Sequence, residues 1–406
     1  MSEGSILASS NTPKVKDPLE FIRVWRDQLI DLSKRNKLLS FKAPKTSSIT
    51  IAQPDAYQAA SLLLGGGHVP LAHLRIVTEV EPTDETVDPN AEKPQSWQRR
   101  EHLSPTTLYA DLLELELRVR ATAIERRTAQ EFLDRGLWTL YIAFGQLVWR
   151  DVDNEFYRAP LLLIPVTIAA SHEKASWTLT RTDEDVVLNP ALQIKAERLG
   201  FKIPHPATEQ DEFDPERWIR EVNQSVETLD GWHAEASAVL SRFSFSKEVM
   251  YRDLLENEES IAAHEVIRAI VDPESAGLAE SEFVDPTSVD QLLPPELTPL
   301  IRDADSSQRA AIATALRGSS LVIDGPPGTG KSQTIANLIG AFLYQKQTVL
   351  FVSEKAAALE VVKDRLSEAG LGDYVLELHS HRATSKEVLP LHLGMHFKID
   401  QNRRVR

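Results

Sequence analysis

The chain has 406 residues, enough for two or three domains and more than one buried core. Its formal net charge of −15 argues against a surface coated in positive charge for indiscriminate nucleic-acid binding, though it does not exclude a local basic groove. The lack of any cysteine excludes disulfide frameworks and cysteine-based zinc or iron–sulfur sites and fits a reducing cytoplasm, and no apolar stretch is long enough to cross a bilayer.

Residues 1–17 have no apolar signal core and read as a flexible leader. Ile22, Trp25, Leu29 and Leu32 recur at spacings of three and four, which predicts an amphipathic helix over residues 18–41. On it Asp31 and Arg35 would lie one turn apart as an i,i+4 pair. Lys34, Arg35, Lys37 and Lys42 form a small basic cluster, read as a solvated face with phosphate contact as the alternative. A shorter helix is expected over 57–64, broken by Gly65, Gly66 and Gly67, and the acidic, proline-bearing stretch 79–95 reads as an exposed loop.

Residues 108–135 are helix-like and end at Gly136. The apolar runs 140–149 and 159–168 read as buried strands joined by a polar turn at 151–154, and 177–180 alternates like a third strand. Helices are expected at 190–199, 215–228, 247–255 and 260–271. Residues 18–270 are therefore read as one α+β domain, and the proline- and acid-rich stretch 271–300 as a linker.

From residue 301 the pattern alternates: helix at 307–317, strand at 321–324, helix from Lys331, strand at 349–352, helix at 355–369 and strand at 374–378. Such alternation predicts parallel βαβ units, with ligands at the carboxyl ends of the strands. The overall expectation is α/β: an N-terminal α+β domain followed over 301–406 by an incomplete RecA-like phosphate-loop domain with a parallel sheet.

The run Gly325-Pro326-Pro327-Gly328-Thr329-Gly330-Lys331-Ser332 stands between the first of these strands and the following helix. That order is the required context of a phosphate-binding loop, so the chain is read as binding ATP with Mg²⁺. Gly325, Gly328 and Gly330 admit backbone angles closed to other residues and let main-chain N–H groups approach phosphate oxygens. Lys331 is expected to reach the β- and γ-phosphates and the Ser332 hydroxyl to ligate Mg²⁺. The eleven histidines show no zinc-ligand spacing: His379 and His381 are two apart, and His392 and His396 have no glutamate between them.

The segment containing Gln308, the loop through Gln333, and Ser353-Glu354-Lys355 resembles the first motor domain of superfamily I helicases of the Upf-like, AAA-type group. The resemblance implies that Gln308 reads adenine, and that Gly328 to Gln333 hold triphosphate and magnesium. It further implies that Ser353, Glu354 and Lys355 touch single-stranded nucleic acid, DNA rather than RNA, and that His379 and Ser380 lie where the chain approaches it. A helix N-cap followed by an acidic first-turn residue is the alternative for Ser353 to Lys355. A second resemblance covers the N-terminal domain. Residues 29–39, with Asp31, Arg35 and Asn36, then 158–166, 188–190 and 243–247 are similar to a domain of unknown function found ahead of the motor in large bacterial superfamily I helicases.

Hydrolysis by such a motor needs an acidic pair for Mg²⁺ and water, and an arginine for the transition-state charge. After Ser332 no apolar strand ends in such a pair, and the acidic runs 183–185 and 211–212 precede the loop. The expectation is an N-terminal piece of a longer helicase, inactive alone and completed by the remaining motor or a partner protein. The alternative is a nucleotide-binding interaction module without turnover that docks a partner through its N-terminal domain.

Overall fold

The computed structural model describes residues 16–79, 95–135, 137–150, 154–170, 176–206, 213–272, 283–292 and 299–376. In chain order the first elements are α1 (Pro18–Leu29), β1 (Ile49–Gln53), α2 (Ala56–Leu64), β2 (His68–His73), β3 (Arg75–Glu79), β4 (Gln95–Arg99), β5 (Leu108–Ala110) and α3 (Glu114–Arg135). Next come β6 (Leu140–Arg150), β7 (Phe156–Ala170), β8 (Trp177–Arg181), β9 (Val187–Leu188), α4 (Pro190–Arg198), α5 (Pro215–Val226) and β10 (His233–Arg242). The remainder is helical: α6 (Ser246–Glu256), α7 (Glu258–Ala263), α8 (Glu265–Val271), α9 (Val289–Leu292), α10 (Ser306–Leu316), α11 (Lys331–Tyr344), α12 (Ala356–Glu368) and a 3-10 turn at Gly372–Tyr374.

The chain divides into two units, one combining Met1–Ser33 with Phe245–Ser281 and the other combining Lys34–Ser244 with Glu282–Arg406. In the first, α1 packs against α6, α7 and α8. Pro18 opens α1 and the Asp17 carboxylate accepts from Leu19 N at 3.1 Å, a proline-and-cap start. Arg23 and Arg26 of α1 both reach Glu258 at the start of α7, at 2.8 and 3.2 Å. The expected helix over 260–271 is two, because His264 is extended and its Nδ1 accepts from Val266 N to begin α8.

The first helix stops at Leu29, not at 41. Ile30 leaves the helical conformation, and the Asp31 carboxylate accepts from Ser33 N at 2.8 Å in an Asx turn. Asn36 repeats the device, accepting from Leu38 N at 2.9 Å. Short polar side chains that bond nearby backbone offer an alternative to the helix, and here it prevails over the apolar spacing that continues to Leu32. Asp31 and Arg35 consequently do not share a helix.

In the second unit eight strands pair in the order β6, β10, β1, β5, β2, β8, β7, β9, and β6 also pairs with β7. The ladder therefore closes on itself. Its pairings are antiparallel except β2 with β5. Closure depends on β7, whose first part pairs with β6 and whose last five residues pair with β8. Most of β6 and the stretch 159–166 of β7 are buried, which is why both appear in the sequence as continuous apolar runs. Against β7 the register of β6 runs unbroken past Gly145, whereas against β10 it shifts between the Glu235–Gln146 and Ala238–Phe144 pairs, opposite Gly145 at φ 71°; a Cβ there would stand 2.9 Å from Ile219 Cδ1. Separately, β3 and β4 form a two-stranded ladder.

Several strands were not expected. Residues 108–110 are β5 rather than the start of a helix; α3 begins at Glu114, where the Glu116 carboxylate accepts from Leu113 N at 3.0 Å. Three residues are too few to show a period of two against the helical pattern that follows.

Asn189 joins the segments that carry the N-terminal resemblance. It is fully buried; its Nδ2 donates to Leu38 O at 2.6 Å and to Pro160 O at 2.7 Å, while its Oδ1 caps α4 through Leu192 N. Beside it, buried Trp149 donates to Leu39 O at 2.7 Å, and Lys195 of α4 lies 3.9 Å above the indole ring.

Towards the end of the described chain, α10, α11 and α12 pack in succession. Ile339, Val362 and Leu366 form the core of the α11–α12 contact, with Phe351 and Val375 against it. Val284 and Val289, within the stretch expected as a linker, are buried against Ala310 and Ala313 of α10. The overall class is the expected mixed α/β, with a sheet that includes parallel strands. The parallel pairing lies between β2 and β5, however. Residues 321–324 and 349–352, expected as strands, carry no strand ladder, residues 372–374 form a 3-10 turn, and residues beyond 376 lie outside the described chain. Val322, Leu350 and Val352 are 96%, 81% and 74% exposed. Apolar alternation marks segments competent to pair, but a ladder forms only when a neighbouring strand meets them, and none does so among the described residues.

Candidate nucleotide-binding site

The loop from Gly325 to Gly330 enters α11 directly. Gly330 is the N-cap in the left-handed conformation at φ 76°, with no capping side chain, and Gly328 has φ 91°. The first N–H groups of a helix have no partner within it, so α11 presents donors and the positive end of its dipole to the loop. Pro326 and Pro327 stiffen the turn, and Thr329 Oγ1 donates back to Pro326 O at 2.9 Å. The side chain of Lys331 folds over this turn, its ammonium donating to the carbonyls of Gly325 and Pro326. Lys331 is exposed, and Ser332 is half-buried one residue further into the helix. At Gly325 an added Cβ would meet Lys331 Cγ at 2.8 Å, so the side chain that crosses the loop requires glycine beneath it.

Gln308 stands on the other side of the loop. The Asp305 carboxylate accepts from Gln308 N at 2.8 Å, and Gln308 Oε1 accepts from Asp305 N at 3.2 Å, a complete capping box at the start of α10. Gln308 Nε2 donates to Thr329 O at 2.9 Å, joining that helix start to the loop. Gln333 Nε2 adds a bond to Asp303 O at 3.1 Å. Deeper, fully buried Asn337 accepts from Ile301 N and Arg302 N at 3.0 and 2.9 Å and donates to Arg302 O at 3.1 Å. Three amides thus bind the segment before α10 and the start of that helix onto the loop and α11.

The sequence reading found Gln308 and Gln333 but missed Asn337 and the capping role of Asp305. The second had a signal: Asp305 three residues ahead of Gln308 has capping-box spacing. Asn337 had none, because an asparagine within a helix is ordinarily a surface residue.

Ser353, Glu354 and Lys355 precede α12, which begins at Ala356 with Lys355 as N-cap and no capping side chain. Ser353 Oγ accepts from Lys355 N at 3.3 Å, closing the turn before the helix; Glu354 and Lys355 are exposed. The alternative that one of their side chains caps the helix is therefore not the observed arrangement. His379 and Ser380 lie outside the described residues. Among the described residues no group of three or more histidines and carboxylates is placed to hold a metal ion, and no helix is long and apolar enough to cross a membrane.

Two family models match this chain. Residues 28–195 match a protein family of unknown function, DUF4011, and residues 303–402 match an AAA domain. The chain is thus similar to DUF4011 over its N-terminal part and to an AAA domain over its C-terminal part. The DUF4011 match takes in the Asn36 turn, β6, β7 and Asn189; the AAA match opens at Asp303 and contains Gln308, the phosphate loop and α11. Over 267 residues the chain is 27% identical to the uncharacterized ATP-dependent helicase MG140 homolog of Mycoplasma pneumoniae and 28% identical to the uncharacterized ATP-dependent helicase MG140 of Mycoplasma genitalium. Each alignment covers 59% of this chain and 23% of the relative, so the chain spans less than a quarter of either protein. Over 85 residues it is 29% identical to the DNA polymerase alpha-associated DNA helicase A of Schizosaccharomyces pombe, covering 21% of this chain and 13% of that protein. No solved structure matches it.

Proposed function

We propose that this chain is the ATP-binding portion of a superfamily I helicase or translocase, in which hydrolysis drives movement along single-stranded nucleic acid in the complete protein. The observation that carries the reading is the uncapped N-terminus of α11, opened by left-handed Gly330 and crossed by the ammonium of Lys331. Such a terminus is an anion site, and a mobile cation beside it supplies the complementary charge. The donor set fits a magnesium-bound triphosphate: Gly325, Pro326, Pro327, Gly328, Thr329 and Gly330 shape the turn, Lys331 would meet the β- and γ-phosphates, and Ser332 and Gln333 open the helix beside them. The Ser332 hydroxyl would hold Mg²⁺, which would supply neutralisation of the phosphate charge.

The helicase names of the relatives support nucleic acid as the partner, with DNA favoured by the relative named as a DNA helicase. We place the nucleic-acid contacts at Ser353, Glu354 and Lys355, whose exposed position before α12 is compatible with them, and at His379 and Ser380. The division into residues 18–270, a linker at 271–300 and a motor portion from 301 belongs to the same proposal, as does a cytoplasmic location.

The test is calorimetric titration of the chain with MgATP, followed by turnover assays with and without single-stranded DNA. ATP binding that Lys331→Ala weakens by about ten- to a hundredfold is the expected result, and failure of the unaltered chain to bind ATP overturns the reading. DNA-stimulated turnover would establish that the chain is itself an enzyme. Binding without turnover would leave catalysis to the rest of the motor.

A further inference from the structure

We propose that the closed-sheet region carries a binding site for single-stranded nucleic acid of its own, built from the basic turn at Lys34 to Lys37 and the aromatic rings of Tyr157 and Trp232. The partner class is the one proposed above, whereas the residues are other than Ser353 to Lys355 and the site does not depend on the phosphate loop.

Tyr157, Trp149, Trp232 and Phe201 pack in succession. Trp149 near the end of β6 meets Tyr157 of β7 with ring centroids 5.1 Å apart and Trp232 at 5.8 Å, and Phe201 stands edge-on to Trp232 at 5.5 Å. Trp149 is wholly enclosed, but Tyr157, Trp232 and Phe201 each reach the surface. Cations lie over this layer: Lys34 Nζ is 5.9 Å from the centre of the Tyr157 ring, and Lys195 Nζ is 3.9 Å from that of Trp149.

The basic turn is fastened to the rings. Asn36 Oδ1 accepts from Leu38 N, and Asn36 O accepts from Leu39 N and Ser40 N at 3.0 and 2.8 Å. The next two carbonyls accept from buried donors, Leu38 O from Asn189 and Leu39 O from Trp149. Trp149 is therefore both the centre of the aromatic layer and an anchor of the turn, so the cations are held beside the rings in advance of any ligand. The turn contributes exposed Lys34, Arg35 and Lys37, and residues 195–202 contribute Lys195, Arg198 and Lys202; the carboxylate within these two segments is Glu197. In a chain of net charge −15 this is a local reversal of sign.

Rings flanked by fixed cations match a polymer that alternates flat bases with phosphates. A base stacks on an aromatic face whatever its identity, while lysine and arginine meet the phosphates. A duplex keeps its base faces stacked within itself, so the rings select a single strand. An acidic polypeptide would satisfy the cations and leave the rings unused. The phosphate-contact reading of the cluster at Lys34 thereby prevails over the solvated face.

The experiment measures binding of the full chain, without nucleotide, to a fluorescein-labelled single-stranded DNA by anisotropy over a range of salt concentrations. Lys34→Gln combined with Lys37→Gln removes two exposed charges. The expected result is affinity about ten- to thirtyfold lower at about 0.1 M salt, and a slope of log affinity against log salt flatter by about 1.4, two single-strand phosphate contacts at about 0.7 each. Trp232→Ala is expected to weaken binding by about five- to a hundredfold, and Trp232→Phe, which keeps a stacking face, to recover most of it. The lysine pair keeps the test decisive where the alanine variant fails to fold. A loss in the lysine pair that persists in a Lys355→Ala background supports the proposal. Unchanged affinity and slope in the lysine pair, with binding lost in Lys355→Ala, overturns it in favour of the motor contacts alone. Equal affinity for the same DNA as a duplex, or equal displacement of the strand by polyglutamate, overturns it in favour of a purely electrostatic surface. Wild-type protein that binds no single strand overturns this proposal together with the nucleic-acid part of the reading above, while the MgATP titration reports separately on the nucleotide site.

Discussion

Asn189 donates to the carbonyl of Leu38 at 2.6 Å across 151 positions of sequence, and the same amide nitrogen donates to Pro160 O. Asn189→Ala would leave two buried carbonyls unsatisfied and uncap α4. The expected loss is about 2 to 4 kcal/mol of unfolding free energy, read by urea denaturation. Asn189→Asp should cost at least as much, since a carboxylate cannot donate to either carbonyl and would be buried.

Gly145 of β6 has φ 71°, and an added Cβ there would stand 2.9 Å from Ile219 Cδ1 and 3.1 Å from Leu161 Cδ1. Gly145→Ala combines a left-handed backbone unfavourable to alanine with overpacking of a filled core. A loss of about 2 to 3 kcal/mol is expected, with nucleotide binding by the folded fraction unchanged. Equal stability of the two proteins in thermal unfolding would count against close packing over Gly145.

Asp111 should make stability depend on acid. Arg75 holds its carboxylate with two bonds, at 2.8 and 2.9 Å, and Arg99 adds a third at 3.1 Å; together they draw its pKa from 3.8 to about 2. A depressed folded pKa means that the unfolded chain binds the extra proton, so this contribution is complete above about pH 4 and is lost as pH falls towards 2. Asp111→Asn is expected to melt below wild type at pH 7, with the gap narrowing across that window. A gap independent of pH would assign the effect to packing.

Lys331→Ala removes only an exposed side chain and its bonds to two loop carbonyls. Thermal stability should stay within about 0.5 kcal/mol of wild type, while MgATP affinity falls by about ten- to a hundredfold, the scale of a charge-assisted contact. A parallel loss of stability and affinity would show that the lysine shapes the loop instead of meeting the nucleotide.

The helices of the chain were legible where caps and spacing agreed, as at Asp214, whose carboxylate accepts from both Glu216 N and Arg217 N to start α5. The strands were legible only where they were long and apolar, as β6 and β7 are. Pro70 inside β2 and the alanine- and glutamate-bearing start of β10 hid strands whose identity comes from their partners. At the site, the phosphate loop was visible in full, whereas its attachment to α10 was half visible: Gln308 stood out by resemblance, and Asn337 did not.

The sequence by itself determined the loop from Gly325 to Ser332, because its requirements are local: glycines for left-handed angles, a lysine and a hydroxyl at the opening of one helix. Only the tertiary structure decided that the N-terminal sheet closes through β6 and β7, that Asn189 ties Leu38 to Pro160, and that Gln308 holds Thr329. Those relationships are contacts between groups distant in sequence, and a polar side chain acquires its role from the unpaired backbone groups the fold brings within hydrogen-bond reach.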